Sequence, residues 1–288
     1  MTHLLTSWMR VGPYVRLLRP VNSVMVGLAV LVGAYLAEPN PSLWDIWGTA
    51  LGFVTGFTLT GFSMVLNDYF DRDIDAVNEP GRPIPSGAVK PSGALVYAAL
   101  LSAVGLTTST LTGMGCFMLA ALSTVLSIGY TSYGKRLGLI GNMMVSGCIA
   151  IPFLYGGLLV GNPRLSNLLA ASTAFLSNTG REVTKGIVDL EGDRRFGVET
   201  VAVRYGCRRA AYVAAALYTS AVLLTPIPFF TGDATLGYLI AVAVTDLGFL
   251  YSSIRLLKDP SRSGARRVKN QVVAWMLLGL LAFTLLEF

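Results

Sequence analysis

Apolar residues along this 288-residue chain are grouped into long runs that are separated by shorter polar linkers. A helix that spans a bilayer needs about 20 mostly apolar residues, because its backbone groups must pair with one another in lipid. The pattern predicts an all-α, multi-pass membrane protein with nine transmembrane helices, at roughly 21–37, 46–67, 92–112, 114–133, 139–160, 165–181, 210–230, 235–256 and 268–286. The sixth run is the weakest, because SNTG near its end is polar.

The composition agrees with a membrane protein. Hydrophobic residues make up 53% of the chain and charged residues 13%, whereas soluble domains carry about 25% charged residues. The single histidine and the three cysteines, Cys116, Cys148 and Cys207, show no zinc-type spacing, so we interpret the cysteines as reduced thiols. No linker is long enough for a separate soluble domain, and residues 1–288 are therefore expected to form a single membrane domain.

The basic residues are distributed very unevenly between the two sides of this topology. Of the 22 Lys and Arg residues, only Arg164 falls on the side that holds the C-terminus. The positive-inside rule then makes the other side cytoplasmic. We expect a cell-membrane protein with a cytoplasmic N-terminus and an external C-terminus. Because topology explains the basic residues, the net charge of +6 is no sign of a nucleic-acid partner.

Acidic residues cluster directly after the second apolar run, in the sequence NDYFDRDID. If the helix continues, each residue turns by about 100°, and Asn67, Asp71 and Asp75 share one face. Asp68 can reach the same site. Asp73 points away from it and is predicted not to be a ligand.

A second acidic cluster follows the sixth run, in the sequence REVTKGIVDLEGDRR. Asp189 and Asp193 are four residues apart, so they share a helix face. Glu182 and Lys185 fall on the same stripe. Glu191 points the other way. Both clusters lie on the predicted cytoplasmic side.

Closely packed carboxylates repel one another unless a cation lies among them. Hard oxygen ligands suit Mg²⁺, which binds one or two carboxylates and takes its other ligands from water and phosphate. Basic residues adjoin both clusters, as a metal-bridged diphosphate would require. We therefore predict a cytoplasmic active site with two Mg²⁺ ions bound by Asn67, Asp68, Asp71, Asp75, Asp189 and Asp193, and with phosphate contacts from Arg72, Arg82, Lys135 and Lys185. The alternative interpretation is a pair of solvated, charge-balanced loops.

These motifs resemble those of the UbiA superfamily of intramembrane prenyltransferases. NDYFDRDID and DLEGD resemble its NDxxDxxxD and DxxxD motifs, and RPIPSG, YTSYGKR and RPVN resemble three further stretches of the family. The resemblance implies a single prenyltransferase domain, with nine helices around a central cavity that opens laterally to membrane lipid. It also implies Mg²⁺-dependent transfer of a prenyl group from an isoprenyl diphosphate donor. Tyr130 and Asn22, which lie in the matching stretches, become candidate substrate-binding residues.

The acceptor is less well defined. The segment from EGD to GVETVAVRYG resembles the archaeal ether-lipid branch, whose acceptor is a lipid phosphate, geranylgeranylglyceryl phosphate, alkylated at a glycerol hydroxyl. The quinone branch, whose acceptor is the aromatic 4-hydroxybenzoate, is the alternative. A transporter or channel is the alternative from another class, but its acids should lie near the membrane midplane. Here only Asp246 falls deep within a predicted span.

Transfer begins when the allylic diphosphate ionises as its leaving group is neutralised. We predict Asp68, Asp71 and Asp193 as the catalytic carboxylates. Tyr69, Tyr130 and Phe153 are candidates for stabilising the allylic cation through their aromatic faces. A hydroxyl acceptor also needs a base, for which the sequence names only a motif carboxylate such as Asp68.

Overall fold

The computed structural model describes residues 11–287, so residues 1–10 of the predicted cytoplasmic N-terminus lie outside the described residues. Within that range the chain is helical and has no strand. Residues 11–18 are helical, and nine long helices follow in the described part of the chain. They are α1 (Pro20–Ala37), α2 (Ile46–Phe70), α3 (Pro91–Leu111), α4 (Met114–Ser132), α5 (Leu139–Leu159), α6 (Leu165–Val188), α7 (Cys207–Leu224), α8 (Leu236–Lys258) and α9 (Arg262–Phe283). Short helices cover Arg72–Asn78, Leu190–Arg195, Val201–Tyr205 and Ile227–Thr231, and two 3₁₀ turns cover Pro41–Leu43 and Gly134–Leu137.

The helix ends differ from the predicted spans mainly where helices continue beyond the lipid-compatible run. The second helix was predicted to end at residue 67 and ends at Phe70, and the sixth was predicted to end at 181 and ends at Val188. The ninth begins at Arg262, six residues before its predicted start. An apolar run marks only the part of a helix that suits lipid, whereas backbone hydrogen bonding carries the helix on into polar sequence.

Seven of the nine long helices are apolar and long enough to cross a membrane, with α7 counted together with the short helix that follows it. The two others are α6, whose second half is polar, and α9, which opens with the basic sequence RSGARRVKNQ. The prediction of a multi-pass, all-helical membrane protein is therefore confirmed. The number of nine spans stays a prediction.

Helix α1 contacts α2 and α5, and α6 contacts α5, α7 and α9. Because α8 contacts both α7 and α9, helices α6 to α9 form a closed ring. The contact between α1 and α5 is especially close at Gly156, where an added Cβ would collide with the carbonyl oxygen of Val30. Small residues of this kind let membrane helices approach backbone to backbone.

Asn167 connects α6 to both α1 and α5 through hydrogen bonds. Its side-chain amide donates hydrogen bonds to the carbonyl oxygens of Gly33, at 2.6 Å, and Phe153, at 3.0 Å. Helices α1, α5 and α6 are thereby fixed to one another. These bonds lie near the start of α6, whose other end carries half of the predicted site.

Candidate active site

The first acidic stretch keeps helical spacing although α2 ends at Phe70. The Asp71 amide donates to the Asn67 carbonyl at 2.9 Å, and the Asp75 amide donates to the Asp71 carbonyl at 2.7 Å. Asn67, Asp71 and Asp75 are therefore stacked on successive turns, as the sequence predicts. The Asn67 side-chain amide also donates to Asp71 Oδ2 at 2.9 Å.

The second acidic stretch has the same construction. The Asp189 amide donates to the Lys185 carbonyl at 3.0 Å, and the Asp193 amide donates to the Asp189 carbonyl at 2.9 Å. The short helix Leu190–Arg195 thus prolongs the stripe that begins in α6. Burial, reinforced by the negative charge of Asp189, raises the pKa of Asp193 to about 6. The charge of Lys185 offsets only part of this shift.

The two acids that were predicted to point away from the site do so. The Asp73 side chain is 86% exposed and the Glu191 side chain is 87% exposed. Their nearest charges are Arg72, at 3.8 Å from Asp73, and Arg262, at 3.7 Å from Glu191. Both positions serve as matched controls for the buried acids.

Basic side chains hold the buried carboxylates of the first stretch. Arg82 Nη1 lies 2.6 Å from Asp75 Oδ2 and 3.5 Å from Asp68 Oδ1. Lys135 Nζ lies 2.5 Å from Asp71 Oδ1. Burial raises the pKa of Asp75, and the charge of Arg82 offsets only part of that shift. Burial likewise lowers the pKa of Lys135, against the opposing effect of Asp71.

Arg19 is a residue of the site that sequence reasoning missed. Its Nη2 lies 2.7 Å from Asp68 Oδ1, across 49 positions of the chain. Its φ of 50° makes Arg19 the one described non-glycine residue with a positive φ, and such a conformation is disfavoured for a side chain with a Cβ. The stretch RPVN, which begins at Arg19, carried the signal for this residue. The family resemblance pointed only to its Asn22 as a candidate substrate-binding residue.

The structure does not bring Arg72 to the carboxylates. Its Nη1 donates to the Tyr69 carbonyl at 3.0 Å, and its guanidinium lies 4.8 Å from the centroid of the Tyr69 ring. Its acidic neighbour is the exposed Asp73 rather than Asp68, Asp71 or Asp75.

A cavity of about 600 Å³ lies between the helices. Helices α1, α2, α4, α5, α6, α7, α8 and α9 all contribute to its wall. Its polar lining includes Asn22, Asn67, Tyr130, Arg181, Glu182 and Lys185, and Phe153 is among its apolar lining residues. The ends of the second and sixth helices thus border one cavity, which is what the enzyme hypothesis requires.

Tyr130 links the two acidic stretches. It interacts electrostatically with Asp71 of the first stretch and with Asp193 of the second, as well as with Lys185 and Glu182. The ammonium of Lys135 lies 5.8 Å from the centroid of the Tyr130 ring. Both stretches therefore lie within electrostatic reach of one side chain.

Among residues 11–287, no three His, Cys, Asp or Glu side chains are gathered closely enough to hold a metal ion by themselves. In the first stretch, basic side chains contact the carboxylate oxygens. Mg²⁺ needs only one or two carboxylates when phosphate supplies further ligands. The donor set therefore fits Mg²⁺ bound together with a diphosphate.

Asp246 lines the cavity from the middle of α8, whereas the two acidic stretches follow the ends of α2 and α6. Its Oδ2 accepts a hydrogen bond from Thr225 Oγ1 at 2.7 Å, while its Oδ1 is buried and has no hydrogen-bond partner among the described residues. This deep acid is therefore partly satisfied by a local contact.

Comparison with known proteins decides the family. Residues 26–284 match the UbiA prenyltransferase family, which is nearly the whole chain. The chain belongs to this family. The prediction of a membrane prenyltransferase is thereby confirmed, and nothing favours a transporter or channel.

Curated relatives of this UbiA-family chain are named digeranylgeranylglyceryl phosphate synthase. The one from Natronomonas pharaonis is 37% identical over 256 residues, which cover 89% of this chain and 91% of the relative. The one from Methanothermobacter thermautotrophicus is 34% identical and covers 94% and 95% of the two chains. The similarity therefore extends over most of the length of both chains.

Solved structures share the fold. A structure described as that of digeranylgeranylglyceryl phosphate synthase superimposes with a TM-score of 0.83 at 30% identity, over 96% of this chain and 97% of that one. A UbiA homologue from Archaeoglobus fulgidus, bound to GPP and Mg²⁺, gives a TM-score of 0.69 at 18% identity, over 94% and 99%. The second likeness establishes the fold alone.

Proposed function

We propose that this protein transfers a geranylgeranyl group from geranylgeranyl diphosphate to geranylgeranylglyceryl phosphate, in a Mg²⁺-dependent step of membrane ether-lipid synthesis. The observation that carries the proposal is the similarity, over 89% and 94% of the chain, to two relatives named digeranylgeranylglyceryl phosphate synthase. The cavity supports it, since a wall that is largely apolar ends in a cluster of charged and amide side chains. A lipid-borne prenyl chain with a charged head requires this combination.

The metal would be held by the two stacked acidic stretches, through the side chains of Asn67, Asp68, Asp71, Asp75, Asp189 and Asp193. When bound, two Mg²⁺ ions would neutralise the leaving diphosphate. Carboxylates from both stretches would hold the metal, and phosphate would supply further ligands.

The chain's own cations then bind the outer phosphate oxygens. We assign this role to Arg82, Lys135 and Lys185, and we add Arg19 because it lies on Asp68. Arg72 is left out, since its side chain lies against Tyr69 and Asp73. A guanidinium binds phosphate with two parallel hydrogen bonds, and an ammonium binds it as a point charge.

The allylic cation that forms must be kept from water. The apolar wall of the cavity provides this shielding, and Tyr130 lies where it can present its ring to the cation. An aromatic face stabilises a cation by about 0.5–2 kcal/mol. Tyr130 thus combines contact with the cation and proximity to both acidic stretches.

The site would face the cytoplasm. All Lys and Arg residues except Arg164 lie on its side of the nine-span topology, and the positive-inside rule orients that side inward. The N-terminus is then cytoplasmic and the C-terminus external, in the cell membrane.

Incubation of purified protein with geranylgeranyl diphosphate and Mg²⁺ tests the proposal. Geranylgeranylglyceryl phosphate and 4-hydroxybenzoate are offered in parallel, and products are identified by mass spectrometry. We expect the prenylated lipid phosphate alone, and its loss when EDTA is added. Prenylation of 4-hydroxybenzoate alone, or transfer that EDTA does not reduce, would contradict the proposal.

A further inference from the structure

A carboxylate outside the predicted metal ligands lines the cavity close to the two acidic stretches. It belongs to Glu182, on α6, about two helical turns before Asp189. Only 10% of its side chain is exposed. Among the described residues, Asp246 is the one other acid in the cavity wall.

Two basic neighbours hold the Glu182 carboxylate in place. Arg181 Nη1 donates to Glu182 Oε1 at 2.9 Å, and Lys185 Nζ donates to Glu182 Oε2 at 3.4 Å. Glu182 also interacts electrostatically with Tyr130, which in turn interacts with Asp71 and Asp193. The carboxylate is therefore fixed beside the region where the diphosphate would bind.

The other acids are less suited to contact an acceptor. Asp68, Asp71 and Asp75 are assigned to metal, and none of them is among the residues that line the cavity. Asp246 lies 12 residues before the end of α8 at Lys258, which corresponds to about 18 Å along the helix. Glu182 alone combines a place in the cavity wall, proximity to both stretches and freedom from the metal set.

We propose that Glu182 accepts the proton of the acceptor's hydroxyl group during prenyl transfer. This proposal rests on the proposed function, because only a hydroxyl acceptor loses an O–H proton as the ether forms. It replaces Asp68, the candidate base that the sequence named.

Ether formation begins at C1 of the donor. The bond between C1 and its diphosphate oxygen breaks, and the electron pair leaves with the diphosphate. A lone pair of the acceptor hydroxyl forms the new C1–O bond, and the O–H proton passes to a carboxylate oxygen of Glu182. The products are an ether, a diphosphate and a protonated Glu182, which then releases its proton to water.

A carboxylate is a sufficient base for this step. The hydroxyl becomes strongly acidic as its oxygen bonds to the allylic cation, so the position of the base matters more than its strength. General-base catalysis of this kind contributes about 10²–10⁴-fold to the rate. Arg181 is a positioning residue, because it orients the carboxylate and does not itself receive the proton.

The test compares Glu182→Gln with Glu191→Gln, which removes an exposed carboxylate outside the cavity. Three quantities are measured: transfer to geranylgeranylglyceryl phosphate, hydrolysis of geranylgeranyl diphosphate without acceptor, and the rise in melting temperature caused by Mg²⁺ plus pyrophosphate. For Glu182→Gln we expect transfer to fall by about 100-fold or more, while donor hydrolysis and the thermal response stay close to wild type. Glu191→Gln should match wild type in all three.

Glu182→Asp tests whether a loss of transfer in Glu182→Gln comes from misfolding. It keeps a carboxylate on a shorter side chain and should recover part of the transfer rate. Transfer by Glu182→Gln close to wild type would overturn the proposal, as would an equal loss of transfer, hydrolysis and thermal response in both variants. A wild-type protein that does not prenylate the lipid phosphate would instead contradict the proposed function.

Discussion

Lys135 Nζ lies 2.5 Å from Asp71 Oδ1, although 64 positions separate the two residues in the chain. This contact joins the 3₁₀ turn after α4 to the end of α2. One side chain is a predicted metal ligand and the other a predicted phosphate ligand. The two side chains therefore neutralise each other, and we expect Mg²⁺ with diphosphate to compete with this ion pair for both of them.

Replacement of one predicted metal ligand in either stretch should sharply reduce transfer. Asp71→Asn and Asp193→Asn each keep the size of the side chain and remove a carboxylate that the metal needs. Loss of a group that stabilises developing charge lowers kcat by about 10²–10³-fold. Transfer to geranylgeranylglyceryl phosphate with Mg²⁺ present is the measurement.

The neighbouring exposed acids provide the control. Asp73→Asn and Glu191→Gln remove a carboxylate from the same stretches, yet their side chains are 86% and 87% exposed. We expect both to retain most of the wild-type activity. Equal loss in all four variants would show that net charge, and not a bound metal, governs activity.

The stacking of the acids could be predicted from the sequence because helical periodicity is local. Asn67, Asp71 and Asp75 needed only the rule that residues four apart share a face. The same rule separated Asp73 from them. The long apolar runs likewise indicated the helices, since lipid demands paired backbone groups whatever the tertiary structure.

Contacts between distant segments could not be predicted in this way. The pairing of Arg19 with Asp68 depends on how residues before α1 pack beside α2, and no periodic pattern encodes that packing. Arg72 shows the same limit, because its neighbours in sequence suggested the site while its side chain lies over Tyr69. Helical periodicity predicted which side chains share a face, whereas adjacency in sequence did not predict which side chains meet.

Removal of Arg82 should destabilise the ligand-free protein more than removal of Arg19. Arg82 contacts both Asp68 and Asp75, whose side chains are only 5% and 8% exposed. Arg19 contacts Asp68 alone, which would keep Arg82. Because the arginines are themselves partly exposed, we expect Arg82→Gln to lose about 1–3 kcal/mol, between the limits for exposed and buried ion pairs.

Thermal unfolding in detergent, with EDTA present, measures this difference. Arg19→Gln should melt closer to wild type than Arg82→Gln does. If Arg82→Gln has the same melting temperature as wild type, solvation by water rather than the charge of Arg82 stabilises these carboxylates.

Asp193→Asn should stabilise the protein in the absence of metal. Burial and the charge of Asp189 raise the pKa of Asp193 to about 6, so at pH 7.5 the ionised carboxylate opposes folding. The amide removes that repulsion, and we expect the melting temperature in EDTA to rise by about 2–4 °C. With Mg²⁺ and pyrophosphate the order should reverse, because wild type keeps the ligand that the variant has lost. A variant that melts below wild type in EDTA would contradict this account.

The contact between α1 and α5 predicts a strong effect of a single methyl group. In Gly156→Ala the new Cβ would collide with the carbonyl oxygen of Val30, which belongs to the backbone and cannot rotate away. Overpacking of this kind costs about 1–3 kcal/mol.

Gly12→Ala is the matched control, since an added Cβ there meets nothing within 4 Å. We expect Gly156→Ala to melt clearly below wild type and Gly12→Ala to melt near it. A Gly156→Ala protein as stable as wild type would mean that the two helices can separate without cost.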